Sequence, residues 1–360
     1  MEAITGQAAF RVGHAAGRDW RASAAACAEQ LGPDHTEHTL GLAYASDHWA
    51  GDLDDIVEFL RARTGIRRWT GATGHGVIAG DREFFGEPAL VAMAAPLPPD
   101  SFAPIGAALP PGMPFGIVHG DARAGDLDAV IAEAARGDGY LVGGVVLPDG
   151  GRIGVARNEG VTLTGMAFAP DVAVATGLSQ GCSPIGPIHE VTNCSDYVVA
   201  SLNGRPALDV FKEEVGEVLA RRLDRAAGYI FAALPVSGSD TGDYLVRNLL
   251  GFDTEHGMIG VGAEFQRGDR LMFCRRDRAT AVKDLDRMTA VLKKRLDGPP
   301  RGALYVSCLA RGPNLFGSNS EEVKQVQKAL GPVPLVGFFA NGEICHDRLY
   351  TYTGVLTLFL

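Results

Sequence analysis

The sequence contains few cysteines, and none of them forms the closely spaced pair typical of a metal or redox site. They are Cys27, Cys182, Cys194, Cys274, Cys308 and Cys345. The chain is acidic, and its first residues show no basic segment followed by an apolar one. Scattered cysteines in such a chain are typical of reduced thiols. We therefore expect a cytoplasmic protein.

Long apolar runs and an excess of basic residues are also missing. Gly, Pro or a charged residue interrupts every apolar stretch well before the roughly 18 residues that a membrane span needs. The net charge is −10, from 33 basic and 43 acidic residues. Because nucleic-acid binding requires a basic face, this balance disfavours it. We expect a soluble protein with neither a nucleic-acid nor a membrane partner.

The sequence has no phosphate-binding loop of the G-x-x-x-x-G-K-[ST] type. Gly71–Gly76 is rich in glycine, but it lies between two predicted strands, so it is not a dinucleotide fingerprint. His35 and His38 form an H-x-x-H pair, and no second pair of ligands completes a zinc site. We therefore predict no metal.

A nucleophile motif is present only in part. Gly177–Gly181 matches G-x-S-x-G, but the Gly- and Pro-rich residues up to Pro187 cannot begin the helix that a nucleophile elbow requires. Since no base, nucleophile and orienting group converge, we predict a protein that is not an enzyme. A hydrolase that uses Ser179, Cys182 or Cys308 is kept as an alternative.

One pattern recurs along the chain: an apolar strand, a helix and a Gly-rich return. Repeats of this kind must be found before a fold is assigned. Two copies have near-identical helix starts, Gly51–Asp54 and Gly125–Asp128. The four predicted first strands are Leu40–Ser46, Phe115–Gly120, Tyr229–Leu234 and Ala303–Cys308. The predicted helices of the last two copies are Asp243–Leu249 and Glu321–Leu330.

These repeats predict an α+β fold with two domains, each built from two β-α-β-β units. The returns after each helix resemble hairpins, so we expect mixed or antiparallel sheets covered by helices. A chain of 360 residues is also too long for one ordinary core. We expect an N-terminal strand and helix in residues 1–34, then domains in 35–226 and 227–360. The boundary falls in or just after an amphipathic helix at 207–227.

Two loops carry residues suited to ligand binding. Gln180–Pro187 is predicted to be a rigid turn that exposes backbone N–H groups, a thiol and a hydroxyl; the alternative is a plain strand connection. After the strand that ends at Cys308, Arg311 is a fixed donor for a carboxylate or phosphate. The alternative is an Arg311 that pairs with a structural carboxylate and a Cys308 that fills the core.

A third loop follows the Asn341-Gly342 turn, where Glu343 either pairs with Arg311 or binds a ligand amine. We expect the three loops to form one cleft at the junction of the two halves, with Arg311 holding an anionic group and Glu343 a cationic one. The predicted ligand site comprises Gln180, Cys182, Ser183, Cys308, Arg311, Gly312, Asn314, Phe316, Gly342 and Glu343.

Taken together, the motifs resemble the FIST family (F-box and intracellular signal transduction proteins) over roughly residues 35 to 360. In the N-terminal part they are Gly71–Gly80, Gly86–Leu90, Gln180–Pro187 and Asn203–Leu208. In the C-terminal part they are Tyr244–Asn248, Arg276-Asp277, Cys308 with Arg311-Gly312, Pro334–Phe339 and Gly342–Ile344.

The resemblance implies FIST N-type and C-type domains, and a sensory protein that recognises a small ligand, such as an amino acid or a related metabolite. It also implies a signalling protein partner. Some relatives are described as haem-binding nitric-oxide sensors, so a haem site is an alternative, with His119, His189, His256 and His346 as axial-ligand candidates. Where the family often has His before the last strand, this chain has Tyr350, so its ligand or role could differ.

Overall fold

The structure is a computed structural model and describes residues 9–32, 39–123, 125–147, 151–153, 161–226, 228–236 and 242–360. The histidines of the H-x-x-H motif lie outside the described residues. The chain divides into a first unit, Met1–Gln180 with Val282–Leu360, and a second unit, Gly181–Ala281. The α+β class with mixed and antiparallel sheets is confirmed. No described helix is both long and apolar enough to cross a membrane.

The helices and strands follow the predicted apolar patterns closely. The helices are α1 (Trp20–Leu31), α2 (Leu53–Thr64), α3 (Leu127–Ala134), α4 (Ala207–Ala220), α5 (Leu223–Ala226), α6 (Arg278–Lys293) and α7 (Glu321–Leu330). The strands before the second unit are β1 (Arg11–Ala16), β2 (Leu40–Ser46), β3 (Arg68–Gly74), β4 (Gly76–Ala79), β5 (Arg82–Phe85), β6 (Ala89–Ala95), β7 (Phe102–Pro104), β8 (Phe115–Asp121), β9 (Tyr140–Val146), β10 (Leu163–Phe168) and β11 (Val174–Gln180).

The remaining strands belong to the second unit and to the C-terminal part of the first. Those of the second unit are β12 (Cys182–Pro184), β13 (His189–Ser195), β14 (Val198–Leu202), β15 (Arg205–Pro206), β16 (Ile230–Pro235), β17 (Tyr244–Asp253), β18 (Met258–Val261) and β19 (Arg270–Arg276). The C-terminal strands are β20 (Gly302–Cys308), β21 (Leu335–Ala340), β22 (Glu343–His346), β23 (Arg348–Tyr350) and β24 (Thr353–Phe359).

The first unit contains three copies of one four-stranded arrangement. Within each copy the strands lie in the spatial order first, fourth, second, third: β1-β6-β2-β3, β7-β10-β8-β9 and β11-β24-β20-β21. The second and third strands of each copy run parallel and are joined by α2, α3 or α7. A parallel pair needs such a crossover helix. The three copies therefore share one topology, and the second unit is inserted in the chain of copy 3, after β11.

The copies exchange segments in a closed cycle. The β4–β5 hairpin of copy 1 extends the sheet of copy 3 through β21. The β22–β23 hairpin of copy 3 extends the sheet of copy 2 through β9. In copy 2, Ile153 forms a bridge to Ala72 in β3 of copy 1. Each copy thus gives a segment to one neighbour and receives a segment from the other.

A glycine marks the same position in all three copies. Gly71, Gly143 and Gly337 lie opposite the fourth residue of the preceding parallel strand. A Cβ at these glycines would lie 1.8, 1.7 and 1.8 Å from the carbonyl oxygen of that opposite residue. No side chain fits such a distance, so the glycines are required by close backbone approach.

One of the four predicted repeats, the one that starts at Tyr229, does not have the expected helix. Residues 244–253 form β17, paired with β16 and β18, and its buried side chains include Tyr244 and Val246 at alternating positions. An aromatic and a β-branched residue two apart fit a half-buried strand, because strand side chains alternate between faces. The helix predicted over Asp243–Leu249 is therefore wrong, and these residues follow the two-residue period of a strand.

Two strands predicted as single elements are also broken. Residues 69–80 divide at His75 into β3 and β4, and residues 335–344 divide at the Asn341-Gly342 turn into β21 and β22. In both cases the second part joins the sheet of another copy. The helix predicted over 207–227 is kinked at Gly216, which has a φ of 78°, and ends at Ala220.

The second unit is a closed ring of antiparallel strands, β13-β14-β18-β17-β16-β19 and back to β13. Leu208 and Phe211 of α4 pack with Phe273 of β19 in its core. Because a closed ring leaves no unpaired edge among these strands, the unit has its own hydrogen-bonded framework and core.

Candidate functional site

Arg311 of the predicted site is tied to Glu322, the second residue of α7. Arg311 Nε donates to Glu322 Oε1 at 2.8 Å, and the two side chains are 0% and 1% exposed. The same carboxylate accepts hydrogen bonds from the hydroxyls of Tyr305 and Ser307 and from the backbone N–H of Gly312, at 2.6 to 3.1 Å. Burial opposes the positive charge, but the Glu322 carboxylate raises the pKa of Arg311.

The two terminal nitrogens of the Arg311 guanidinium also have hydrogen-bond partners. The guanidinium donates to the backbone oxygen and hydroxyl of Ser179 at 3.3 Å, and its carbon lies 5.0 Å from the centre of the Phe316 ring. Ser179 lies inside β11 and is fully buried. It therefore does not occupy a strand-to-helix turn, which a nucleophile elbow requires.

Glu343 and Cys308 form a second buried group at the ends of β22 and β20. Glu343 Oε2 accepts hydrogen bonds from the backbone N–H and hydroxyl of Thr353, at 3.1 and 2.8 Å. Glu343 Oε1 is buried without a hydrogen-bond partner. Burial raises the pKa of Glu343 to about 8, against the effect of Thr353 and of Arg311. The protonated form of the Glu343 carboxyl is therefore favoured at neutral pH.

The thiol of Cys308 lies beside this carboxyl. Burial, and then the charge of Glu343, raise its pKa well above the ordinary value, although the backbone N–H groups of Ala310 and Tyr352 favour the thiolate. A nucleophilic cysteine needs a lowered pKa. At rest, Cys308 is a buried neutral thiol.

The other predicted site residues are distributed between the two units. Gln180, at the end of β11, pairs with Thr353 in β24, the residue that donates to Glu343. Asn314 is exposed and donates to the Leu309 carbonyl at 2.9 Å, while the Gly342 carbonyl accepts from Val145 N–H. Cys182 and Ser183 lie in β12 of the second unit, paired with β19.

Tyr350, which departs from the family pattern, is buried and pairs with Glu343 between β23 and β22. The four histidines considered as haem ligands have protein partners. Buried His119 shares a hydrogen bond with Tyr44 at 3.2 Å, and burial lowers its pKa to about 3. The partners of His189, His256 and His346 are Glu214, Asp253 and Asp347.

A cavity of about 1060 Å³ lies in the first unit, between α3, β10, β3 and the segment after β7. Its wall is mainly apolar, and Thr164 Oγ1 is buried there without a hydrogen-bond partner. Two acidic residues, Asp126 at the N-cap of α3 and Glu133 within α3, are among the lining residues. The lining residues are Trp69, Thr70, Pro104, Ile105, Gly106, Ala107, Asp126, Ala129, Val130, Glu133, Val161, Thr162, Leu163, Thr164, Gly165 and Met166.

None of these lining residues was singled out from the sequence. They come from four separate segments, and each segment by itself has the pattern of an ordinary strand, helix or Pro-rich connector. The one available signal was the near-identical helix start at Gly125–Asp128, which marks the second copy. Glu322 was missed for a similar reason, because a carboxylate in the first turn of a helix ordinarily indicates favourable helix-dipole interaction.

The topology defines an α+β protein of three related β-α-β sheets, with a closed ring of strands inserted in the third. The chain belongs to the FIST family: residues 39–205 match the FIST N domain and residues 207–346 match the FIST C domain. FIST domains are associated with sensing in signal transduction.

The chain is similar to uncharacterized mycobacterial proteins. A protein of Mycobacterium tuberculosis (strain H37Rv) is 31% identical over 343 residues, which cover 85% of this chain and 87% of the relative. A protein of Mycobacterium bovis is 32% identical over 253 residues, which cover 68% of this chain and 59% of the relative.

Proposed function

We propose that the chain is a cytoplasmic sensory protein that binds a small ligand in the cavity between α3 and β10. The cavity of about 1060 Å³ carries this proposal, because a large apolar pocket with a few polar groups is the usual form of a small-molecule site. The thiols agree with a cytoplasmic protein, since none of the six cysteines, all of which lie in the described part of the chain, forms a disulfide.

The cavity is a better location for the ligand than the residues around Arg311. A ligand anion at Arg311 would have to displace the Glu322 carboxylate, which is held by four protein donors. Removing one partner of such a pair leaves an uncompensated buried charge. We therefore assign Arg311 to the framework of copy 3, close to the ends of β11 and β20.

The sensory part of the proposal rests on the position of the cavity. Its wall uses β3 of copy 1 and α3 and β10 of copy 2. A ligand there would contact two members of the cyclic exchange, so its binding energy would stabilise the arrangement of the copies. A signalling partner would then recognise the liganded form.

The test is a thermal-shift screen of metabolites with a variant that fills the cavity. Ala129→Trp places an indole in the cavity, whereas Ala132→Trp adds the same ring to an exposed position of α3 outside the lining. Ligands should raise the melting temperature of the wild type and of Ala132→Trp, but not of Ala129→Trp. Hits that stabilise all three proteins equally would contradict binding in this cavity.

A further inference from the structure

The charge of the cavity wall selects among small ligands. Two lining residues, Asp126 and Glu133, carry carboxylates, and no lining residue is Lys, Arg or His. Glu133 also forms an ion pair with Arg136 on the exposed side of α3, so part of its charge is compensated. Asp126 is left as the principal charge at the cavity.

Asp126 also has a defined orientation. It is the N-cap of α3, and its Oδ1 accepts a hydrogen bond from the backbone N–H of Ala129 at 3.0 Å. Ala129 itself lines the cavity. The capping bond fixes the orientation of the carboxylate without removing its charge.

Three threonines, Thr70, Thr162 and Thr164, and one aromatic residue, Trp69, also line the cavity. The hydroxyl oxygen of Thr164 is buried and has no hydrogen-bond partner in the protein. Trp69 is among the lining residues; it is 5% exposed and donates its indole N–H to the Ile66 carbonyl at 2.9 Å. An aromatic ring near carboxylates attracts organic cations.

We infer that this cavity binds an organic cation: an apolar body that lies against Trp69 and Val130, with an ammonium group directed at Asp126. This inference rests on the proposed function and narrows it. A free amino acid also carries a carboxylate, which would lie near Asp126 and Glu133 with no lining cation to pair with. Amines without a carboxylate therefore fit the wall better than amino acids do.

The inference is tested on the full chain with three probes of similar shape and different charge. They are 2-phenylethylammonium, 2-phenylethanol and 3-phenylpropanoate, and their affinities are measured by calorimetry at low salt. The cation should bind about 10-fold more tightly than the alcohol, and the carboxylate most weakly.

Two variants test whether the Asp126 carboxylate is the group that binds the cation. Asp126→Asn keeps a good N-cap, so the fold should be unchanged. The variant should lower the affinity for the cation by about 5-fold and leave the affinity for the alcohol unchanged. Asp128→Asn is the matched control, because it removes a charge from the same turn of α3 outside the lining. It should change neither affinity.

The outcomes separate this inference from the proposed function. If the alcohol or the carboxylate binds as well as the cation, or if Asp126→Asn has no selective effect, the organic-cation inference is overturned while a ligand blocked by Ala129→Trp still supports the cavity. If no probe binds, the inference is likewise overturned, and the metabolite screen alone then decides the proposed function.

Discussion

Arg311 donates from Nε to Oε1 of Glu322 at 2.8 Å, and the two side chains are 0% and 1% exposed. The pair joins the loop after β20 to the first turn of α7, and Ser179 of β11 binds the same guanidinium. The arginine is therefore a fixed part of copy 3, and its removal should be felt as a loss of stability.

We expect Arg311→Met to lower the free energy of unfolding by about 3–5 kcal/mol, because Glu322 would remain as a buried, unpaired charge. Adding Glu322→Gln should restore part of the loss, so the double variant should be more stable than additivity predicts. Chemical denaturation measures both. Arg205→Met, which breaks an exposed pair with Glu213, is the control and should cost under about 1 kcal/mol.

Glu83 should make stability fall as the pH rises. Burial, and then the nearby Glu322, raise its pKa to about 7 from 4.5. Between these values the folded protein keeps a proton that the unfolded chain loses, so its stabilising contribution is complete below pH 4.5 and lost as the pH passes 7.

We therefore expect Glu83→Gln to match the wild type near pH 5 and to exceed its stability near pH 8, by up to roughly 3 kcal/mol. A glutamine can still accept the hydrogen bond from Val323 N–H that Glu83 accepts at 2.9 Å. Denaturation curves at several pH values measure the difference. Glu87→Gln, at an exposed position, is the control, and equal pH profiles for both variants would refute the assignment to Glu83.

The cysteines should react slowly in the folded protein. Burial raises the pKa of Cys27 to about 12, and Cys308 is also shifted well upward. Only Cys194 is not buried, so iodoacetamide at neutral pH should label it first, as peptide mass spectrometry can show. Fast, selective labelling of Cys308 would instead support the alternative of a thiol hydrolase.

The glycine shared by the three copies should not tolerate a side chain. Gly337→Ala would place a methyl group 1.8 Å from the Tyr305 carbonyl oxygen, and separation of β20 from β21 should cost roughly 3 kcal/mol or more. Gly51→Ala is the control, because nothing lies within 4 Å of a Cβ there. Similar melting temperatures for the two variants would contradict this reading of the repeat.

Local patterns in the sequence were sufficient for most elements. The bounds of β2 and α7 agree with the prediction to the residue, because an apolar strand and an amphipathic helix are specified by adjacent residues. Ser320 directly precedes α7, a position at which a serine typically caps the helix with its hydroxyl. However, its hydroxyl accepts from Glu83 N–H, and Glu83 supplies the capping carboxylate from another copy.

The sequence does not predict which residues from distant segments contact one another. Glu322 and the cavity wall depend on contacts between copies or across long loops, which no local period encodes. The sequence does not predict the insertion within copy 3, because β11 pairs with β24, which follows it in the chain only after the second unit. Whether the predicted site residues around Cys308 and Glu343 bind a ligand stays a prediction.

The strand β24 has a consequence for synthesis of the protein. It lies between β11 and β20 and pairs with both, over Val174–Gln180 and Gly302–Ser307. On the ribosome, β11 is therefore made long before the strand that pairs with it, and the sheet of copy 3 is completed only after Thr353–Phe359 has emerged. A chain stopped at residue 205, the end of the FIST N match, would leave β11 without β24, the strand that pairs with it in this sheet. The boundary between the two family matches therefore falls between β11 and the strand that completes its pairing.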